Sequence, residues 1–389
     1  MKHYDVVIAG GGIVGSSTAY YLRKNGFTGS IAVVEKDPTY SQACSPLSWG
    51  GIRGQFSTPE NILLSGFTLR LIRGLKQEFG AEADISFREP GYLVLASEAS
   101  ASVLEDNAKL QNSMGVDTVL LSPDDLKKQF PFANFDGIAA GTWGRTGEGW
   151  FDPYGLLTLI RKGAIAKGVD YIADEVVGIE AGEKVTAVSL KQAGKISAGA
   201  VVNAGGTQGG AIAAMVGFEL PVSAAKRYVY VVDCPAAPEE FRKGPAWFNT
   251  DGVYWRPEGR NFLFGFTPSE EEEPKIKDWE MEHHWFEEKI WPSAYERVPA
   301  CEAMKVVSSY VGHYDYNWFD QNGIIGRHPS LPNFYFGNGF SGHGIQQGPA
   351  TGNAISELII HGEYRTIDLT ALGVERIARS EPLFEKNIF

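Results

Sequence analysis

The tightest constraint on the fold lies in the first 35 residues. An apolar run, YDVVIA (4–9), meets glycines at Gly10, Gly12 and Gly15 and passes into a helical stretch from about Ser16 to Lys24. A second apolar run, IAVVE (31–35), then ends on an acid. In this setting the first glycine permits a tight turn, the second lets backbone approach a pyrophosphate, and the third lets helix and strand pack closely. The helix N-terminus turns free N–H groups toward negative charge. Glu35 stands twenty residues after Gly15, where a carboxylate accepts hydrogen bonds from a ribose. Near-continuous apolar strands around a helix predict a parallel sheet buried on both faces. FAD and NAD both satisfy this fingerprint; the acid disfavours NADP.

A chain of 389 residues holds roughly two or three domains, or one interleaved pair. After a loop-like stretch at 38–60, amphipathic helices are expected at 101–115 and 153–168. Short strands fill 169–206, and more follow at 222–265. The polar run at 270–297, which contains EEEEPKIKDWEMEHHWFEEK, reads as a solvated turn and helix. The β-rich middle therefore looks inserted between two parts of a nucleotide-binding fold. A net charge of −12 argues against a nucleic-acid reader. No apolar stretch approaches the roughly 20 residues of a membrane span. Cys44, Cys234 and Cys301 show no CxxC or metal spacing, which suits a reducing compartment. The apolar N-terminal run ends at once in glycines and does not read as a signal peptide, so a cytoplasmic location is expected. His283 and His284 are adjacent and point to different helix faces, so no metal site is expected. GFSGHG (339–344) is not the GxSxG of a hydrolase.

The C-terminal segment GNGFSGHGIQQGPATG (337–352) carries five glycines between Gly337 and Gly348, ahead of a helix expected at about 350–360. Glycines permit close backbone approach to a ligand, and the helix N–H groups point back into the loop. Such dipoles suit the negative charge of a reduced flavin.

Four further segments complete a pattern: SPLSWGGIRGQFS (45–57), EGWFDPYGLL (148–157), AVVNAGG (200–206), and the run 322–359 that carries GRHP and GFSGHG. With the N-terminal fingerprint, they cover nearly the whole chain. Their order and spacing resemble the D-amino acid oxidase superfamily of FAD-dependent oxidoreductases. Within it the chain is most similar to the sarcosine oxidase, glycine oxidase and L-proline dehydrogenase β-subunit group. It also resembles mitochondrial FAD-dependent oxidoreductase-domain proteins.

The resemblance implies an α/β, two-domain fold. A Rossmann-like FAD-binding domain (1–85, 145–220 and 322–389) would interleave with a substrate domain (86–144 and 221–321) built on a mostly antiparallel sheet. The implied FAD contacts are Gly10, Gly12, Ile13, Val14 and Gly15; Glu35 and Lys36; Gly51 and Arg53; Val176; Ala204 and Gly205; and Gly342, His343, Gly344, Ile345 and Gln346. Sarcosine oxidases tether FAD through a cysteine at a place that corresponds here to Gly312. The histidine tether of dimethylglycine dehydrogenase relatives falls near Ser48. Non-covalent FAD is therefore expected. The arginine and lysine that clamp carboxylate in sarcosine oxidases correspond to Phe56 and Gln346, so another cation is needed, and Arg256 in GVYWRPEGR is the candidate. Arg256, Tyr314 and His343 form the expected catalytic set, with Tyr254 as a further pocket wall.

The implied reaction is oxidation of a primary or secondary amine or amino acid, with hydride transfer to flavin N5 and hydrolysis of the imine product. Arg256 stands roughly where oxidases of the family carry an oxygen-activating lysine, which favours a dehydrogenase serving a partner subunit or electron carrier. Two other readings stand beside this one: a flavoprotein acting in assembly of a respiratory complex, and an NAD-dependent dehydrogenase.

Overall fold

The computed structural model describes residues 1–386. The last three residues assigned by resemblance to the FAD-binding domain, 387–389, lie outside the described residues.

Two eight-stranded sheets organise the chain. In the first, Phe334–Asn338, Gly194–Asn203, His3–Ala9, Ile31–Glu35 and Asp170–Ala173 run parallel in that order. Ile324–Arg327 closes one edge antiparallel, and Val176–Ala181 and Val185–Leu190 form an antiparallel flap on Gly194–Asn203. Both faces are dry. Val6, Ile8, Val33 and Val202 pack under one helical layer, while Val7, Ala9, Ala32 and Val201 pack on the other side. This is why these strands read as unbroken apolar runs.

Helices Ile13–Lys24 and Gly344–His361 lie side by side on the first sheet with backbones almost touching. A Cβ on Gly352 would sit 2.5 Å from the Ser17–Thr18 backbone, and one on Gly348 would sit 2.8 Å from Ile13. The small residues at i and i+4 let the helices approach, and the contact brings both N-termini to one end of the sheet. The second helix starts at Gly344, inside the glycine-rich motif, and not near 350 as its sequence suggested. Pro349 lies within it. Its missing N–H leaves the Ile345 carbonyl without a helical donor, a local cost that misleads a reading based on propensity.

The second sheet runs Lys305–Asn317, Val222–Asp233, Asn261–Phe266, Val253–Glu258, Ala246–Phe248, Tyr92–Ala96, Ala140–Gly144, Thr118–Leu121. All pairs are antiparallel except Ala246–Phe248 with Tyr92–Ala96. Alternation along these strands divides the side chains between two faces. Trp247, Trp255, Phe262, Phe264 and Tyr230 form an aromatic core on one face. Tyr92, Phe248, Tyr254, Tyr310, Tyr314, Arg227 and Arg256 share the other, as the pairing register requires.

The polar run that reads as solvated is anchored to the second sheet. Lys226, 1% exposed, donates to Asp278 at 2.5 Å and to Glu282 at 3.3 Å. Arg227 donates to Glu273 at 2.8 Å, and the Tyr228 hydroxyl donates to Glu282. Two buried cations on adjacent strand positions need carboxylates, and this segment supplies them. The end of the run is helical, with a π-helical turn at Phe286–Ile290 leading into α-helix at Trp291–Arg297.

Candidate functional site

A cleft of about 260 Å³ opens at the carboxyl ends of the parallel strands. Ligands commonly bind at this place in open α/β sheets. Gly10, Gly12, Ile13, Val14, Glu35 and Lys36 line it from the first βαβ unit; Val176, Ala204 and Gly205 follow from the middle of the chain. Gly342, Gly344 and Ile345 enter from the C-terminal motif, and Gly312 and Tyr314 from the second sheet.

The glycines are required by distance. Gly10 has φ +102°, and a Cβ there would fall 2.2 Å from the Ala204 carbonyl oxygen. Gly15 does not line the cleft. A Cβ on it would lie 1.9 Å from the Gly10 carbonyl oxygen, so its role is close packing of helix on strand. Glu35 accepts the Gly11 N–H at 2.7 Å through Oε2 and the Asp37 N–H at 2.9 Å through Oε1. These bonds orient its carboxylate at the cleft wall. The Ile13 N–H at the first helix N-terminus is taken by Ser45 Oγ at 3.0 Å, a partner that the loop composition did not reveal.

Gly51, Arg53, His343 and Gln346 stand behind the cleft wall, and Arg53 joins the last two. The Arg53 N–H donates to Gln346 Oε1 at 2.9 Å, and Arg53 Nη1 donates to the Gln55 carbonyl at 2.6 Å. Arg53 Nη2 lies 3.0 Å from His343 Nε2. Burial first, and the Arg53 charge second, depress the His343 pKa to about 3. The imidazole is thus neutral, accepts at Nε2 and keeps its proton at Nδ1. Phe56 stacks under the Arg53 guanidinium at 4.2 Å and meets the His343 ring edge-on. A Cβ on Gly51 would fall 2.0 Å from the Tyr92 hydroxyl, so glycine there lets the Gly51–Ile52 strand approach the second sheet.

Two buried carboxylates near this group were not singled out from sequence. Glu148, with 0% exposure, accepts the Gly54 and Gln55 N–H groups at 2.7 and 3.0 Å and Gln55 Nε2 at 2.8 Å. Burial pushes its pKa up to about 7 against the pull of these donors and of Arg53. Asp315 follows Tyr314 at the cleft wall and accepts the Gly339 and Phe340 N–H groups at 3.0 and 3.3 Å; burial lifts its pKa to about 6. Their sequence signal was an acid beside a glycine or aromatic motif, which burial alone makes informative.

Arg256 is 4% exposed on the face opposite the aromatic core, the one it shares with Tyr254 and Tyr314. Its Nε and Nη2 both donate to the Trp49 carbonyl, at 3.2 and 2.9 Å, and its Nη1 serves the Pro257 carbonyl and Glu258. The Trp49 and Trp150 rings flank the guanidinium at 5.4 and 5.2 Å. Its donors thus hold the Trp49 loop to the sheet. Tyr314 reaches the cleft and packs over Gly342, where a Cβ would lie 2.7 Å from the ring. Tyr254 stands nearby, and its phenol is raised well above the usual range by burial and by the Tyr314 hydroxyl.

Long apposed backbone, an acid on the ribose side and two helix N-termini at one cleft fit a dinucleotide such as FAD. The Gly344 and Ile345 N–H groups open the second helix and suit an anionic ring system. Gly312 has space above it, with Leu47 3.7 Å from an added Cβ as its nearest neighbour.

These features define a dinucleotide-binding protein of the two-sheet type. The model of the DAO family, described as FAD dependent oxidoreductase, matches residues 5–358, and the chain belongs to this family. It is 41% identical to the Xenopus laevis protein named FAD-dependent oxidoreductase domain-containing protein 1, over 99% of this chain and 84% of that one. It is 27% identical to the mitochondrial sarcosine dehydrogenase of Homo sapiens, covering 92% of this chain and 40% of that longer protein. The crystal structure of L-proline dehydrogenase from P. horikoshii superposes with a TM-score of 0.86 at 26% identity, covering 98% of this chain and all of that one.

Proposed function

We propose that this FAD-dependent oxidoreductase oxidises the C–N bond of an amine or amino acid, and that electrons then pass to a carrier or partner subunit. The observation that carries the reading is the meeting of the dinucleotide cleft with the Tyr- and Arg-bearing face of the second sheet at Tyr314 and Gly342. The names of the sarcosine and L-proline dehydrogenases support it. Bound FAD supplies the hydride acceptor at N5.

The chain's own residues bind, orient and exclude water. Gly10, Gly12 and Glu35 hold the dinucleotide end, and the Gly344–His361 helix directs its N–H groups to the ring end. Tyr314 and Tyr254 wall the substrate and keep the reacting carbon out of water. Neutral His343, fixed by Arg53, holds a proton at Nδ1 and offers no cation against the amine. The amine reacts unprotonated, so no strong base is required. Among the described residues that line the cleft, Lys36 is the one lysine, and it stands beside Glu35 at the ribose end. This supports an acceptor other than oxygen.

The test is an anaerobic visible spectrum of the purified protein, before and after pooled amino acids and N-alkyl amino acids. Bleaching of the flavin band is expected, and splitting the pool identifies the substrate. A band that persists with every amine removes the reading. Fast recolouring in air, with peroxide formed, reverses the choice of acceptor.

A further inference from the structure

The two arginines on the substrate-facing side of the second sheet differ in what they have left to give. Arg256 spends Nε, Nη1 and Nη2 on backbone carbonyls and Glu258. Among the described residues, Arg227 makes its hydrogen bonds through Nη1, to its neighbour Lys226's carbonyl at 2.7 Å and to Glu273 Oε2 at 2.8 Å. Its Nε is buried with no acceptor among the described residues, and the residue as a whole is only 5% exposed. A buried cationic donor without an acceptor is costly, and the Nε side of a guanidinium is one of its two-donor edges.

The register says where Arg227 stands. It pairs with Gly312, and Ala225, two residues earlier on the same face, pairs with Tyr314. Gly312 and Tyr314 both line the cleft. Gly312 carries no side chain, so the space over it, beside the guanidinium, is open. The Tyr314 and Tyr316 rings flank Arg227 at 5.3 and 5.6 Å. Glu273 divides its charge between Arg227 and Lys277, the latter at 2.7 Å.

We propose that Arg227 is the carboxylate-binding residue of the substrate site, its Nε edge meeting an anionic substrate while Glu273 holds Nη1 and fixes the plane of the guanidinium. The proposal rests on the amine-oxidation reading and narrows it to amines that bear a carboxylate. A planar fork grips a carboxylate with two parallel N–H···O bonds, which a lysine does not reproduce.

The test uses FAD-loaded protein and paired probes: L-proline with pyrrolidine, N-methylglycine with dimethylamine, and benzoate with benzamide. Binding is read as perturbation of the visible flavin band, so that non-oxidisable benzoate reports without turnover. Arg227→Gln is expected to weaken carboxylate binding on the order of 100-fold, with binding of the carboxylate-free partners unchanged. Arg227→Lys keeps the charge, loses the fork and should recover part of the affinity. Flavin content and melting temperature confirm that each variant is folded; if Arg227→Gln fails this check, Arg227→Lys decides by its loss of carboxylate affinity. Variants that bind carboxylates as the wild type does overturn the assignment. A wild type bleached by amines without regard to a carboxylate overturns it too, and leaves amine oxidation standing. A wild type that neither binds nor is bleached by any probe removes both.

Discussion

A carboxyl group as deeply buried as Glu148 reports its surroundings through pH. Its folded-state pKa of about 7 lies above the ordinary 4.5 because burial outweighs the three N–H donors and the Arg53 charge. The folded protein therefore holds more protons than the unfolded chain between those values. The stability this contributes is complete below about pH 4.5 and is lost as pH rises through about 7. The shift corresponds to about 3 kcal/mol. Glu148→Gln should flatten the fall in melting temperature between about pH 5 and about pH 8, because the amide cannot ionise. A wild-type-like slope in the variant would refute the assignment. His343 acts in the opposite sense: its pKa is depressed to about 3, so its contribution is present above about 6.5 and is lost as pH falls toward 3. Neither shift was legible in the sequence. His343 was singled out because it sits in GFSGHG, and Glu148 lay unremarked in EGWFDP, because burial belongs to the packed chain.

At the scale of elements, the acidic segment before the Phe286–Ile290 turn behaves as a strap. Asp278 and Glu282 hold buried Lys226, the Asp278 carbonyl meets His313 Nε2 at 2.9 Å, and Trp279 packs on the His313 ring at 4.2 Å. Lys226→Met removes the anchoring cation. Asp278 and Glu282 are more than a third exposed and stay hydrated, so the cost should be well below that of breaking a fully buried pair. The sharper readout is local: trypsin should cut at Lys275 and Lys277 faster in the variant, since opening of a strap follows its local stability. Equal cleavage rates would show that the strap is held by other contacts. Charge density alone marked this run as solvated; the cations that claim it lie about 50 residues away on a strand. The Gly344–His361 helix gave a similar lesson. Its glycines and Pro349 concealed the first turn, yet packing of Gly348 and Gly352 against Ile13 and Ser17 outweighs their poor helix propensity.

Across the whole molecule, the dinucleotide cleft joins the two sheets, since Gly312 and Tyr314 of one face Gly10, Gly342 and Ile345 of the other. FAD bound there should stabilise the entire fold. With FAD at a thousandfold excess over its Kd, the gain is about 4 kcal/mol, so stripping the flavin should lower the melting temperature and restoring it should raise it. An unchanged transition would show that the cleft contributes nothing to cohesion between the sheets. The sequence by itself determined the nucleotide-binding half and the family, because a strand, a tight turn, a helix N-terminus and an acid at the next strand end are near neighbours along the chain. Close approach to a pyrophosphate admits only glycine at the critical points, so the requirement is written locally. Tertiary structure alone decided which arginine keeps an open edge, which histidine is neutral and which carboxylates are buried. Those properties depend on strand register between residues some 85 positions apart, such as Arg227 and Gly312, and on exclusion of water, neither of which is carried by a local run of residues.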